Sequence, residues 1–181
     1  MSQPNLWAPW RIDYLGQLGT KTAPAPGSSP NHCFLCDAAE PGLDEATRAE
    51  RLVLHRDDHG VMLLNRYPYT NGHLLVAPLD HLADLSDLTP AVRAGLMELC
   101  ELGSRLLKHA VHAQGVNVGL NQGRAAGAGV PGHLHFHVVP RWAGDTNFID
   151  VVGQVRVVPQ AIEASYAALR DALPAVLGQP A

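Results

Sequence analysis

The chain has 181 residues, 46% hydrophobic and 17% charged, enough for one globular domain with a full core and little room for a second. A net charge of −4 with ten histidines leaves no basic stripe, so no nucleic-acid partner is expected and attraction for an anionic substrate must be local. There is no run of about 18 apolar residues, and the Met1-Ser2-Gln3-Pro4-Asn5 start lacks the charged and apolar regions of a secretory signal; no membrane partner is expected, and the compartment is read as cytoplasmic.

Taken in order, residues 1–31 form an arm and a linker. The arm concentrates aromatics in Trp7-Ala8-Pro9-Trp10-Arg11-Ile12-Asp13-Tyr14, residue types that dock on their own domain or on another subunit, and residues 21–31 have the Pro, Gly and Ser content of a flexible connection. Three cysteines are too few for a disulfide framework, which leaves metal or redox chemistry for Cys33-Phe34-Leu35-Cys36. A redox pair is the poorer reading, because no strand leads into Cys33 and no clear helix is expected after it. The acidic segment 38–51 is helical or irregular, with Asp44 placed to cap a short helix.

Residues 52–55 and 61–64 read as a hairpin across the Asp57-Asp58-His59-Gly60 turn, and 73–78 as a further buried strand in which His73 is structural rather than catalytic. Thr89-Pro90 supplies a hydroxyl N-cap and a proline at the first helical position, and Val92, Leu96, Leu99, Leu102 and Leu106 carry a helix to about residue 112. Cys100 beside that stripe is a small buried hydrophobe, and His109 and His112 belong to the solvated end. A strand over 115–121 and a glycine-rich loop over 122–132 follow. Beyond residue 142 come a turn, an edge strand at 155–158 and a closing amphipathic helix over 159–173.

The loop empties into Gly132-His133-Leu134-His135-Phe136-His137-Val138-Val139-Pro140-Arg141. Alternation of period two is a strand signature. It sets His133, His135 and His137 on one exposed face about 7 Å apart, with Leu134, Phe136 and Val138 on the packed face, before a Pro-Arg stop. A loop with Gly123, Gly127, Gly129 and Gly132 lets backbone amides approach an anion, with Arg124 at its mouth. Neutral imidazoles can attack phosphorus or protonate a leaving oxygen, so loop and strand together point to phosphoryl or nucleotidyl transfer. No Gly-Lys-Ser/Thr of a Walker A loop follows, and the loop precedes a strand rather than a helix.

The His133–Arg141 run resembles the signature of the histidine triad (HIT) superfamily of nucleotide hydrolases and transferases. The likeness extends back through Leu64-Asn65-Arg66-Tyr67-Pro68-Tyr69-Thr70-Asn71-Gly72-His73 and covers about residues 30 to 150. The Trp7–Arg11 start and Pro140–Phe148 look most like the bacterial branch related to diadenosine tetraphosphate phosphorylases. The resemblance implies an α+β domain, an antiparallel sheet of about five strands with one long helix and a C-terminal helix. Residues 32–150 would form the catalytic domain and 151–181 would complete it.

It also implies roles. His135 matches the nucleophile that becomes nucleotidylated, and His137 the residue that contacts phosphate and settles charge. Asn65 matches the ribose-binding position. Asn121 or Gln122 falls where the family has an amide touching phosphate, and Gly127 and Gly129 offer backbone approach. Many relatives place Gln with Ser or Thr shortly before the triad, where this chain has Gly129-Val130-Pro131, a departure that bears on a hydroxyl contact to phosphate. Cys33 and Cys36 form half of a tetrahedral zinc site, and His81 and His133 match the positions that complete it in zinc-containing members; His32 is an adjacent alternative that would crowd Cys33. The expected substrate is a dinucleoside polyphosphate, the expected assembly a homodimer. Phosphorolysis, hydrolysis of a polyphosphate or phosphoramidate, and a catalytically silent zinc-stabilised nucleotide-binding module are the three readings carried forward.

Overall fold

The computed structural model describes residues 33–145 and 160–178. The aromatic arm, the linker, His32 and the edge strand expected at 155–158 lie outside them. Two short helices, α1 (Phe34–Ala39) and α2 (Glu45–Glu50), precede three strands: β1 (Val53–Arg56), β2 (Gly60–Leu64) and β3 (Leu74–Pro78). The long helix α3 (Pro90–Ala110), strands β4 (Gly115–Leu120) and β5 (Phe136–Arg141), and helix α4 (Ile162–Leu177) complete the order. The sheet is antiparallel throughout, with strand order β1-β2-β3-β5-β4. The α+β class, the five strands and both principal helices agree with the sequence.

Local chemistry accounts for the elements. The Asp44 carboxylate accepts from the Thr47 amide at 2.7 Å to start α2, and the Thr89 hydroxyl accepts from the Val92 amide at 3.3 Å with Pro90 opening α3. Asp57 accepts from the His59 and Gly60 amides at 2.8 and 2.9 Å and shapes the hairpin. Strands β2 and β3 are buried along their whole length because the sheet is covered on both faces. Met62, Leu64, Leu74 and Val76 pack with Leu96, Leu99, Leu106 and Leu107 of α3 and with Leu169 and Leu173 of α4, whereas Val61, Leu63, Leu75 and Ala77 pack with Leu35 and Ala38 of α1. Cys100 is 2% exposed within the larger cluster, as its place beside the helix stripe predicts.

Three expectations change. A helix does follow Cys33, since α1 begins at Phe34 with Cys33 at its N-cap. Pro140-Arg141 is no stop: β5 runs through Arg141, with Val116 opposite Pro140 and Gly115 opposite Arg141. Proline is tolerated there because pairing to β3 on the other side ends at Val138, so no ladder acceptor requires an amide from residue 140. The histidine run is also not one straight strand. Its first half bends, with His133 N–H donating to Val130 O at 3.2 Å and Leu134 N–H to Leu82 O at 2.6 Å, and the ladder begins only at Phe136. The packed face survives the bend, as Leu134 and Val138 are buried in the larger cluster and Phe136 packs against it.

Gly60, where β2 crosses beneath α3, tests this packing. A methyl group there would lie 2.6 Å from the Ala77 carbonyl oxygen and 2.7 Å from a Leu96 methyl. Gly60→Ala is expected to cost about 3 kcal/mol in chemical denaturation because the backbone oxygen has nowhere to move.

Candidate active site and metal centre

The bend before β5 sends the three histidines to different places. His133, fully buried, turns toward α1, where Cys33 Sγ, Cys36 Sγ, His81 and His133 bring one ligand atom each to within 4.8 Å of one another. Nδ1 of His133 is 3.4 Å from both sulfurs, and Nδ1 of His81 is 3.2 Å from Cys36 Sγ. Metal–ligand bonds of about 2.0 to 2.3 Å in a tetrahedron put ligand atoms about 3.3 to 3.8 Å apart, close to these three nitrogen–sulfur spacings. Nε2 of His133 donates to the Pro78 carbonyl at 3.0 Å, which removes the proton from Nδ1 and turns its lone pair toward the sulfurs. Gly132 leaves room for the His81 ring, whose Nε2 would be 3.1 Å from a β-carbon at that position.

Electrostatics agree with the donor set. Burial holds both imidazoles in the neutral, ligating form, lowering His81 and pushing His133 down to about 4. Burial, with Cys33 beside it, pushes the Cys36 thiol up to about 12 when no cation is present. A divalent ion reverses that last effect, and two thiolates with two neutral imidazoles cancel its charge inside the protein. The four residues can therefore hold a metal.

His135, only 4% exposed, sits at the floor of a cavity rather than on the exposed face that alternation suggested. The cavity, about 680 Å³, lies on the sheet face opposite α3; His137, opposite Leu75 in register, shares it, as do Asn65, Gly127 and Gly129. Nδ1 of His135 is 2.9 Å from the His133 carbonyl, which only accepts, so Nδ1 carries the hydrogen and Nε2 the lone pair. Burial lowers the pKa of this imidazole and keeps it neutral at pH 7.

His73, read as structural, is fully buried and bonded to three residues of the fold. Its Nδ1 accepts from the Tyr69 amide at 3.1 Å and lies 3.2 Å from Asn65 Nδ2, so the ring hydrogen is on Nε2. That Nε2 is 3.0 Å from Nδ1 of His137, which must accept, leaving the His137 hydrogen on Nε2. Tyr69 stacks on His73 with centroids 4.6 Å apart and lies 5.6 Å from His137. Apolar alternation gives no sign of this pairing, because residues 73 and 137 meet only across the β3–β5 ladder.

Other lining residues escaped the sequence reading as well. Phe34 and Asp37 come from α1, between and beside the cysteines, and Arg51 and Arg66 also line the cavity. Arg51 binds the Asp37 carbonyl and the Glu40 carboxylate, the latter at 2.6 Å, and Arg66 donates to Glu50 O at 2.6 Å. A Pro or Gly count finds loops, but these cations carry no periodic signal. Gln122 turns away from the cavity, accepting from the Leu85 amide at 3.5 Å and donating to Asp84. Asn121 donates to Gly127 O at 3.5 Å, and neither amide is among the residues lining the cavity.

Comparison with known proteins places this geometry in a class. The HIT domain signature matches residues 46–144, and the chain belongs to the HIT family. AP-4-A phosphorylase of Mycobacterium tuberculosis (strain ATCC 25618 / H37Rv) is 39% identical over 157 residues, 87% of this chain and 77% of that protein. A Zn-bound histidine triad family protein from Mycobacterium smegmatis shares the fold with a TM-score of 0.63 at 32% identity, over 80% of this chain and 94% of that one. A bis(5'-adenosyl)-triphosphatase of Saccharomyces cerevisiae (strain YJM789) is 34% identical over 91 residues, half of this chain and 44% of that protein.

The ligand set has a direct test. Purified protein is expected to carry one metal ion per chain by plasma mass spectrometry, and Cys33→Ser to lose it with a fall in Tm of about 5 °C or more. A full equivalent of metal retained by the variant would refute the set.

Proposed function

We propose that this HIT-family enzyme transfers a nucleotidyl group from a dinucleoside polyphosphate to inorganic phosphate by way of His135. The observation that carries the reading is the fixed tautomer of His135. With Nδ1–H bonded to the His133 carbonyl at 2.9 Å, the lone pair belongs to Nε2, beside His137 at a ring-centroid distance of 5.1 Å. The names and extent of the relatives, above all the AP-4-A phosphorylase, support the substrate class.

In the first step Nε2 of His135 attacks the α-phosphorus, the bond to the departing polyphosphate oxygen breaks, and a nucleotidyl-histidine forms. The Nε2 hydrogen of His137 stabilises charge on the phosphate and leaving oxygens, and the His133 carbonyl stabilises the charged imidazole through Nδ1–H. In the second step a phosphate oxygen attacks the same phosphorus, the P–N bond breaks, and the imidazole is restored. Diadenosine tetraphosphate would thus give ATP first and ADP second. Asn65 would hold the ribose, the amides of Gly127 and Gly129 the phosphates, and the Arg51 and Arg66 guanidinium groups would supply local attraction on an anionic chain.

Zinc is the ion this donor set favours, two thiolates and two imidazoles being the donors of a structural zinc centre. Reduced thiols suit a cytoplasmic setting. The outer edge of β4, last in the sheet order and exposed at Asn117, Val118 and Gly119, suits a homodimer that joins sheets.

Intact-mass spectrometry with diadenosine tetraphosphate in the absence of phosphate is expected to show a single nucleotidyl adduct on wild type and none on His135→Asn, whose turnover falls about a thousandfold or more. Added phosphate should discharge the adduct as ADP. Release of AMP at the same rate without phosphate would make the enzyme a hydrolase, and tight binding with neither adduct nor turnover would make it a binding module.

A further inference from the structure

The loop 65–73 carries Asn65 at one end and His73 at the other, closed by Asn65 N–H to His73 O at 2.8 Å and by His73 N–H to Thr70 O at 3.3 Å. On its cavity side lie Tyr69 and the His73–His137 hydrogen bond. On its other side Asn71 reaches the start of α4. There Asn71 Nδ2 donates to Gln160 Oε1 at 3.0 Å, and Asn71 Oδ1 accepts from the Ser165 hydroxyl at 2.7 Å. Ser165 is 2% exposed, so this bond forms away from water, where a lost partner is costly. With both ends of its amide engaged, Asn71 cannot turn without breaking two bonds.

The support is itself rigid. Tyr166 of α4 donates to the Val53 carbonyl at 3.0 Å, Arg170 to that of Leu54 at 3.4 Å, and Arg105 of α3 to that of Val176 at 2.8 Å, while Tyr166, Leu169 and Leu173 enter the core. Helix α4 therefore moves with β1 and α3 as one body. It also lies beyond residue 144, where the HIT domain match ends. Asn71 and Ser165 line a neighbouring cavity of about 220 Å³ that shares Asn65 and Arg66 with the larger one, and neither is among the residues lining the cavity that holds His135 and His137.

We propose that Asn71, Ser165 and Gln160 form a latch by which the C-terminal helix positions the 65–73 loop. The latch keeps Nε2 of His73 against Nδ1 of His137, and so keeps the His137 hydrogen on the nitrogen that serves substrate. Asn71 and Ser165 are positioning residues. The inference rests on the function assigned to His137 above, but the state of the ring can be read without any substrate.

The test uses the full chain with its metal. In nitrogen-15 spectra of the imidazoles, wild-type His137 is expected to show the Nε2–H tautomer, and Asn71→Ala and Ser165→Ala to show a mixture. With diadenosine tetraphosphate and phosphate, kcat of both variants is expected to fall about tenfold while KM stays within about twofold, and Ser165→Thr, which keeps the hydroxyl, to restore both readouts. Asn71→Asp, which keeps the acceptor for Ser165 and loses the donor to Gln160, replaces Asn71→Ala if the latter does not fold. Unchanged His137 spectra in the latch variants would overturn the proposal, whatever happens to Tm or turnover. Absence of wild-type turnover would count against the assigned function alone, since the spectra still decide the latch.

Discussion

His133 is the constraint on which both centres depend. Its side chain brings Nδ1 to 3.4 Å from two sulfurs, its Nε2 is tied to the Pro78 carbonyl at the end of β3, and its own carbonyl holds Nδ1 of His135. One residue thus sets the tautomer of the next histidine while stitching α1 to the sheet. In a buried, weakly screened setting each of these bonds is strong and each lost partner expensive, so the three reinforce one another. His133, in the candidate ligand cluster, and His135, in the cavity, are separated by a single residue in the chain and share a backbone segment.

A second chain of bonds converges from the other side of the cavity. The Tyr69 amide fixes the tautomer of His73, and His73 fixes that of His137. The two chains leave a lone pair on Nε2 of His135 and a hydrogen on Nε2 of His137. A lone pair and a hydrogen on rings 5.1 Å apart by centroid result from residues of one type, distinguished by the backbone carbonyl that His135 touches and the His73 ring that His137 touches. Coverage of the opposite sheet face by α3 and α4 makes this possible, because it anchors β2, β3 and β5 without crowding the cavity.

Much of this was legible in the chain. Thr89-Pro90 announced α3, Asp44 announced α2, and the apolar runs at 61–64 and 73–78 announced a hairpin strand and a buried strand, because capping and periodicity are local properties. The Leu134, Phe136 and Val138 face was read correctly for the same reason. The HIT resemblance named Cys33, Cys36, His81 and His133 as a set, and those four residues do converge. What periodicity misjudged was depth and direction: it made the three histidines an exposed row, whereas His133 and His135 are buried and the strand begins after them.

By itself the sequence determined where the capped helices α2 and α3 begin, which side chains face the core and which residue types were available for chemistry, since these follow from neighbours a few positions apart. Only the tertiary structure decided where each histidine sits and what it touches. Cys33 meets His133 across 100 residues, His73 meets His137 across 64, and Asn71 meets Ser165 across 94. The ligand cluster, the His137 tautomer and the hold on the 65–73 loop are set at those long-range contacts, and no local pattern encodes a partner that folding brings from so far along the chain.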